Sequence, residues 1–102
     1  MRINVMEAVK SYDGKNILDE KQEPVSFRTL FYVALNSTLR DEILGAEQKS
    51  KIYQLTSKLY KDKEVELTLD ERALIKERAA KILEPLSYGR VCDVLEDKKE
   101  TK

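Results

Sequence analysis

The side chains best suited to catalysis near neutral pH are scarce in this chain. Among its 102 residues there is no histidine and only one cysteine, Cys92. Histidine is the side chain whose unperturbed pKa lies nearest physiological pH, and it is the commonest nitrogen ligand of zinc. Without it no Ser-His or Cys-His nucleophile can form, and one thiol cannot complete a structural zinc site. We therefore expect no enzymatic activity and no cofactor, with Cys92 serving as a small core residue.

The remaining candidates for acid–base chemistry are 19 acidic residues, which fall in small clusters. Paired carboxylates act as acid and base only where burial or proximity separates their pKa values. Most of these clusters fall in predicted exposed turns or near helix ends, where charged side chains stay solvated or cap a helix. We interpret them as surface and capping residues. The clusters are Asp41-Glu42, Glu64 with Glu66, Asp70-Glu71, and Asp93 with Glu96-Asp97.

A short polar segment, Asp13-Gly14-Lys15-Asn16, suggests either a calcium loop or a tight turn. An EF-hand needs oxygen ligands at positions 1, 3 and 5 with glycine at position 6, whereas here glycine is second. Asp-Gly is favoured in two-residue hairpin loops because both central residues adopt positive φ. The turn interpretation is the better one. It predicts two short antiparallel strands, about 2–9 and 16–18, joined at Asp13-Gly14.

The strongest positive signal is a run of five lysines between positions 49 and 63, opposed by one acid, Asp62. A basic helix with interleaved tyrosines can follow a phosphate backbone. Lysines usually stay solvated, however, so a solvated lysine face over a core seam is the favoured interpretation. The candidate surface for nucleic acid or another partner consists of Lys49, Lys51, Tyr53, Lys58 and Lys61.

Helices are indicated by apolar spacing and by their start signals. Ser26 is a good N-cap, Thr68 to Glu71 matches a capping box, and Pro85 suits the first turn of a helix but not its interior. The alternation of polar and apolar residues over 64–67 also allows a third short strand. The predicted helices span about 26–36, 46–61, 69–83 and 85–96.

These elements predict a mainly α protein of the α+β class. A small N-terminal β-hairpin, with the third strand near 64–67 as an option, packs on a bundle of about four helices. We expect one globular domain over 1–96, followed by a disordered charged tail at 97–102.

Charge and hydropathy restrict the classes of partner. Lys plus Arg and Asp plus Glu both number 19, so the net charge is zero and the basic excess typical of dedicated nucleic-acid binders is absent. No stretch approaches the roughly 20 apolar residues of a membrane-spanning helix, and the first ten residues do not resemble a signal peptide. With a lone thiol, these features predict a cytoplasmic protein without a membrane partner.

Several segments spread over nearly the whole chain carry a resemblance to a known group of proteins. They are Tyr12-Asp13-Gly14-Lys15-Asn16-Ile17, Val25-Ser26-Phe27-Arg28-Thr29-Leu30 leading to Ala34-Leu35, Glu47-Gln48-Lys49 with Leu59-Tyr60, Val65-Glu66-Leu67-Thr68, Leu74-Ile75-Lys76, and Pro85-Leu86 with Leu95-Glu96. With these segments the layout of the chain resembles small accessory proteins of tailed phages and prophages. The resemblance implies a role in viral assembly or in control of host machinery, in the cytoplasm of a bacterial host, and it brings no catalytic residues.

The leading hypothesis is an accessory protein that binds another protein or a second copy of itself. Strand edges can pair with another chain, so residues 2–9 are a candidate dimer edge, with Ile3 and Val5 at its centre. The alternative is a nucleic-acid-binding regulator that uses the basic helix at 46–61. An enzyme acting through carboxylates is the least supported hypothesis.

Overall fold

A computed structural model describes residues 1–96, and the predicted charged tail at 97–102 lies outside them. The described part combines four helices with one two-stranded antiparallel sheet, so the predicted α+β class is confirmed. The elements are β1 (Arg2–Asn4), α1 (Phe27–Asn36), α2 (Ala46–Leu59), β2 (Glu64–Glu66), α3 (Leu69–Ile82) and α4 (Pro85–Leu95).

Local capping chemistry explains where three of the helices begin. The Ser26 hydroxyl accepts from the backbone N–H of Thr29, which satisfies one donor of the first turn of α1. At the start of α3 both halves of the predicted capping box form between Thr68 and Glu71. Pro85 occupies the first turn of α4. These starts were predicted within one residue, since each depends only on neighbours in sequence.

The strands differ from the prediction in extent and pairing. The reversal at Asp13-Gly14 is confirmed, with Gly14 at φ +85° and a single antiparallel bridge between Lys10 and Asn16. The expected continuous strand over 2–9 is wrong, because regular strand covers only Arg2–Asn4. Its partner is Glu64–Glu66, the optional third strand, rather than 16–18. This pairing sets Ile3 opposite Val65, so the two strands bury their apolar side chains together.

Helix α1 is the centre of the core. It contacts α2, α3 and α4, and it carries both phenylalanines, whose rings lie 6.0 Å apart. The buried apolar side chains are Ile3, Val5, Val9, Phe27, Leu30, Phe31, Ala34, Leu35, Ile52, Leu55, Leu59, Val65, Leu67, Ile75, Ala79, Val91 and Leu95. No helix within residues 1–96 is long and apolar enough to cross a membrane.

Four arginines tie distant parts of the chain together through backbone carbonyls. Carbonyls at helix C-termini have no partner within the helix, so a guanidinium from another element can satisfy them. Each of these contacts joins residues at least 23 positions apart. The pairs are Arg28 to Leu59 O and Asp62 O (both 2.9 Å), Arg72 to Leu95 O (3.4 Å), Arg78 to Ser37 O (2.7 Å), and Arg90 to Lys10 O and Ser11 O (both 2.8 Å).

Arg78 has no solvent exposure, and the sequence did not predict its burial. It lies on the inner face of α3, three residues after Ile75. Its guanidinium donates to both carboxylate oxygens of Glu42 and to the carbonyl of Ser37. The interpretation of Glu42 as a plain surface acid is therefore wrong. The pair fixes the connector between α1 and α2, residues 37–45, against α3.

Replacing Arg78 with lysine should destabilise the protein by about 1–3 kcal/mol, since lysine cannot span both Glu42 oxygens and the Ser37 carbonyl at once. Urea unfolding measures the change. Arg40→Lys is the matched control, because Arg40 is exposed and should tolerate the change. Equal stability of the two variants would contradict a structural role for the Arg78 contacts.

The pH dependence of stability should report the same contact. Hydrogen bonding to Arg78 is the main reason that the pKa of Glu42 falls to about 2. A lowered carboxyl pKa stabilises the fold fully above the ordinary value, and this contribution disappears as the pH falls towards 2. The difference in Tm between the native protein and Glu42→Gln should therefore be constant above about pH 5 and shrink on acidification. A difference independent of pH would rule out an ionised Glu42 as the stabilising partner.

Candidate interaction groove between α1 and α2

An open groove of about 600 Å³ runs between α1 and α2, and the connector at 37–45 contributes Thr38 and Leu44 to its lining. Its buried floor is formed by Leu35 and Ile52, with Leu44 from the connector half-buried beside them. The remaining lining is polar or aromatic. The complete lining is Tyr32, Leu35, Asn36, Thr38, Leu44, Lys49, Ile52, Tyr53, Thr56, Ser57 and Tyr60. We call these residues the tyrosine groove.

Three tyrosines line the groove without being buried in it. Tyr32, Tyr53 and Tyr60 keep 46%, 72% and 51% of their surface exposed. Such large aromatic side chains are normally covered, and their exposure on one surface is typical of an interaction site.

Two of the tyrosines are held in place before any partner arrives. Tyr32 and Tyr60 meet edge to face, with ring centroids 6.2 Å apart and planes at 82°. The guanidinium of Arg28 covers the Tyr60 ring, with Cζ 4.8 Å from its centroid. Arg28 is itself fixed by the carbonyls of Leu59 and Asp62. The amide of Asn36 also donates to Thr56 Oγ1 across the groove, at 3.1 Å.

The structure divides the predicted basic surface between two sides of α2. Lys49 and Tyr53 line the tyrosine groove, and Tyr53 also lines a shallow neighbouring depression with Lys58 and Lys61. Lys51 lies on the opposite side, in a cleft between α2 and α3 that Lys58 also lines. The five residues therefore do not form one patch.

Ion pairs also balance part of the basic charge. Lys58 Nζ lies 2.8 Å from Glu71 Oε1, and Lys51 Nζ lies 3.9 Å from Glu47. Burial would raise the pKa of Glu71, but hydrogen bonds from Lys58 and Thr68 outweigh it, and the pKa is lowered overall. Within residues 1–96, Lys49 and Lys61 form no ion pair.

One side of the candidate dimer edge is already paired with β2 of the same chain. The side chains of Ile3 and Val5 are buried, Ile3 is paired with Val65, and the N–H of Val5 donates to Lys63 O at 2.8 Å. In an antiparallel ladder the intervening residues direct their backbone groups outward. Any edge contact with a second chain would therefore use the backbone of Arg2 and the N–H of Asn4 rather than the backbone of Ile3 and Val5, since the Asn4 carbonyl already accepts from Glu7 N at 3.2 Å.

The acidic residues and Cys92 were the remaining candidates for chemistry. Within residues 1–96 no group of three or more acidic residues or cysteine is placed to hold a metal ion. Cys92 is half-buried on α4, and its hydrogen bond with Tyr88 is the main reason that the pKa of Tyr88 is raised. Cys92, predicted to be a small core residue, is thus only half-buried and is not among the buried core side chains.

Comparison with known proteins finds no matching family model, no similar curated protein and no similar solved structure. The resemblance to phage accessory proteins therefore stays a prediction.

If Tyr53 belongs to the surface of the groove and Ile52 to its floor, substitutions at these adjacent positions should have very different effects on the free energy of unfolding. Ile52→Ala should lower the free energy of unfolding by about 2–5 kcal/mol, because it leaves a cavity in the core. Tyr53→Ser should change it by no more than about 0.5 kcal/mol. Urea unfolding of both variants gives the comparison. A loss at Tyr53 as large as that at Ile52 would mean that the ring is a core element.

Proposed function

We propose that this chain is a non-catalytic accessory protein, of the type found in phages and prophages, that binds another protein through the tyrosine groove. The observation that carries the proposal is the exposure of three tyrosines around an apolar floor. In this proposal the protein works in the cytoplasm of a bacterial host, where its single thiol stays reduced.

The physical state of the groove supports binding. Tyrosine is enriched at protein interfaces, since it combines a large apolar ring with a hydroxyl that can bond to a partner or to water. The contacts of Tyr60 with Arg28 and Tyr32 limit the motion of two of the three rings. Ordering side chains is one of the costs of association, so rings that are already held favour a partner.

The alternative function, binding of nucleic acid by the basic helix, has one observation in its favour. Tyr53, Lys58 and Lys61 share a depression, as a phosphate contact beside an aromatic ring would require. Against it, Lys51 and Lys58 are engaged by carboxylates, and the whole chain has no net positive charge. Protein binding is therefore the better supported function.

The proposal is tested by affinity capture from native cells, infected where a virus is involved. The captured proteins are compared between the native protein and a variant of the groove. The native protein should retain a partner that Tyr53→Ser loses, because the substitution removes the most exposed ring of the groove. Light scattering on the purified protein shows whether the partner is a second copy.

Tyr12→Ser is the matched control. Tyr12 is 79% exposed, but it lies beside the Asp13-Gly14 turn and outside the groove. Its substitution should leave capture unchanged. If the native protein and Tyr53→Ser retain the same proteins in the same amounts, the groove is not the interaction site.

A further inference from the structure

Among the described residues, the charged side chains that line the tyrosine groove and the adjoining depression are all lysines. The lining of the groove includes Lys49 and no carboxylate, and the adjoining depression adds Lys58 and Lys61, again with no carboxylate. The cleft on the other side of α2 differs, since Asp70, Glu71 and Glu77 line it together with lysines. Positive charge is therefore concentrated on the side of α2 that carries the exposed rings.

Two of these three lysines have no carboxylate partner within residues 1–96. Glu71 balances Lys58 at 2.8 Å, whereas Lys49 and Lys61 have no ion pair within residues 1–96. Lys49 belongs to the first turn of α2, and Lys61 follows the end of the helix. The two lysines thus lie towards opposite ends of α2, Lys49 in the tyrosine groove and Lys61 in the adjoining depression, and Tyr53 lines both.

We infer that the occupant of the tyrosine groove is an acidic segment of a partner protein. Apolar or aromatic anchor residues of that segment contact Tyr53 and the floor at Ile52, and its carboxylates face Lys49 and Lys61. This inference rests on the proposed function and names the chemistry of the partner. Complementary charge of this kind acts mainly on selectivity and on the rate of association, while buried rings supply most of the affinity.

A protein segment fits the groove better than a nucleic acid. Arg28 already lies over one face of the Tyr60 ring, so only the opposite face could receive a stacking base. Two of the donor atoms of Arg28, Nε and Nη2, are engaged by the carbonyls of Leu59 and Asp62. The floor is aliphatic, which suits side chains of a peptide.

Selection of a random-peptide display library on the full chain tests the inference. Enriched peptides should carry net negative charge and at least one aromatic or large aliphatic residue. Their affinity, measured by fluorescence anisotropy on synthetic copies, should fall at least about tenfold in Tyr53→Ser. The double variant K49E/K61E should bind these acidic peptides more weakly than the native protein does. It should bind more tightly to synthetic peptides in which each acidic residue is replaced by lysine. Circular dichroism verifies that each variant folds.

The control for charge is K15E/K21E, which changes net charge equally at two exposed lysines in the N-terminal segment. It should retain the acidic peptides. Groove-dependent peptides without acidic preference would overturn the inference while leaving the proposed function standing. Enrichment of no peptide that depends on Tyr53 would also overturn it. So would Tyr53-dependent binding of single-stranded oligothymidine, or a dimer that dissociates in Tyr53→Ser, because another occupant would then fill the groove.

Discussion

The contact between Arg78 and Glu42 determines the placement of the connector between α1 and α2. Residues 37–45 have no helix or strand of their own, yet Thr38 and Leu44 line the tyrosine groove. A charged guanidinium in the interior is very costly unless it is paired and hydrogen-bonded. Glu42 and the Ser37 carbonyl supply these contacts to Nη1 and Nη2 of Arg78, while its buried Nε has no hydrogen-bond partner within residues 1–96. The buried charge therefore holds the connector against α3, and the position of Thr38 and Leu44 in the groove follows from it.

Arginine contacts to backbone carbonyls recur at the ends of α2 and α4 and at the N-terminal turn. Arg28 takes up carbonyls at the end of α2, Arg72 reaches the last carbonyl of α4, and Arg90 ties the N-terminal turn to α4. A chain of this size has a small core, and the two strands contribute three residues each. Because there is little regular sheet, arginine side chains that bind distant backbone carbonyls supply contacts between the elements. The contacts of Arg28 also place its guanidinium over the Tyr60 ring, so that a structural contact orders part of the proposed binding surface.

Features that depend on residues close together in sequence could be predicted, and features that depend on distant residues could not. The start signals of three helices act within one turn, so these starts could be read from the sequence. They are Ser26, Thr68 with Glu71, and Pro85. The pairing of Ile3 with Val65 and the contact of Arg78 with Glu42 join residues 62 and 36 positions apart, and no local pattern encodes them. Tyr53 was singled out because lysines surround it in sequence. Tyr32 was missed because it lies outside the apolar stripe of its helix, and its place in the groove depends on packing against α2.

The most direct measurement of this account is the backbone motion of the connector, determined by ¹⁵N relaxation in solution. If Arg78 and Glu42 fix residues 38–44, their order parameters should approach those of the flanking helices, about 0.85. The Arg78→Lys variant should lower them selectively, with α1 and α2 unaffected. Values below about 0.6 in the native protein would show a flexible connector and contradict the claim that a buried ion pair shapes the groove.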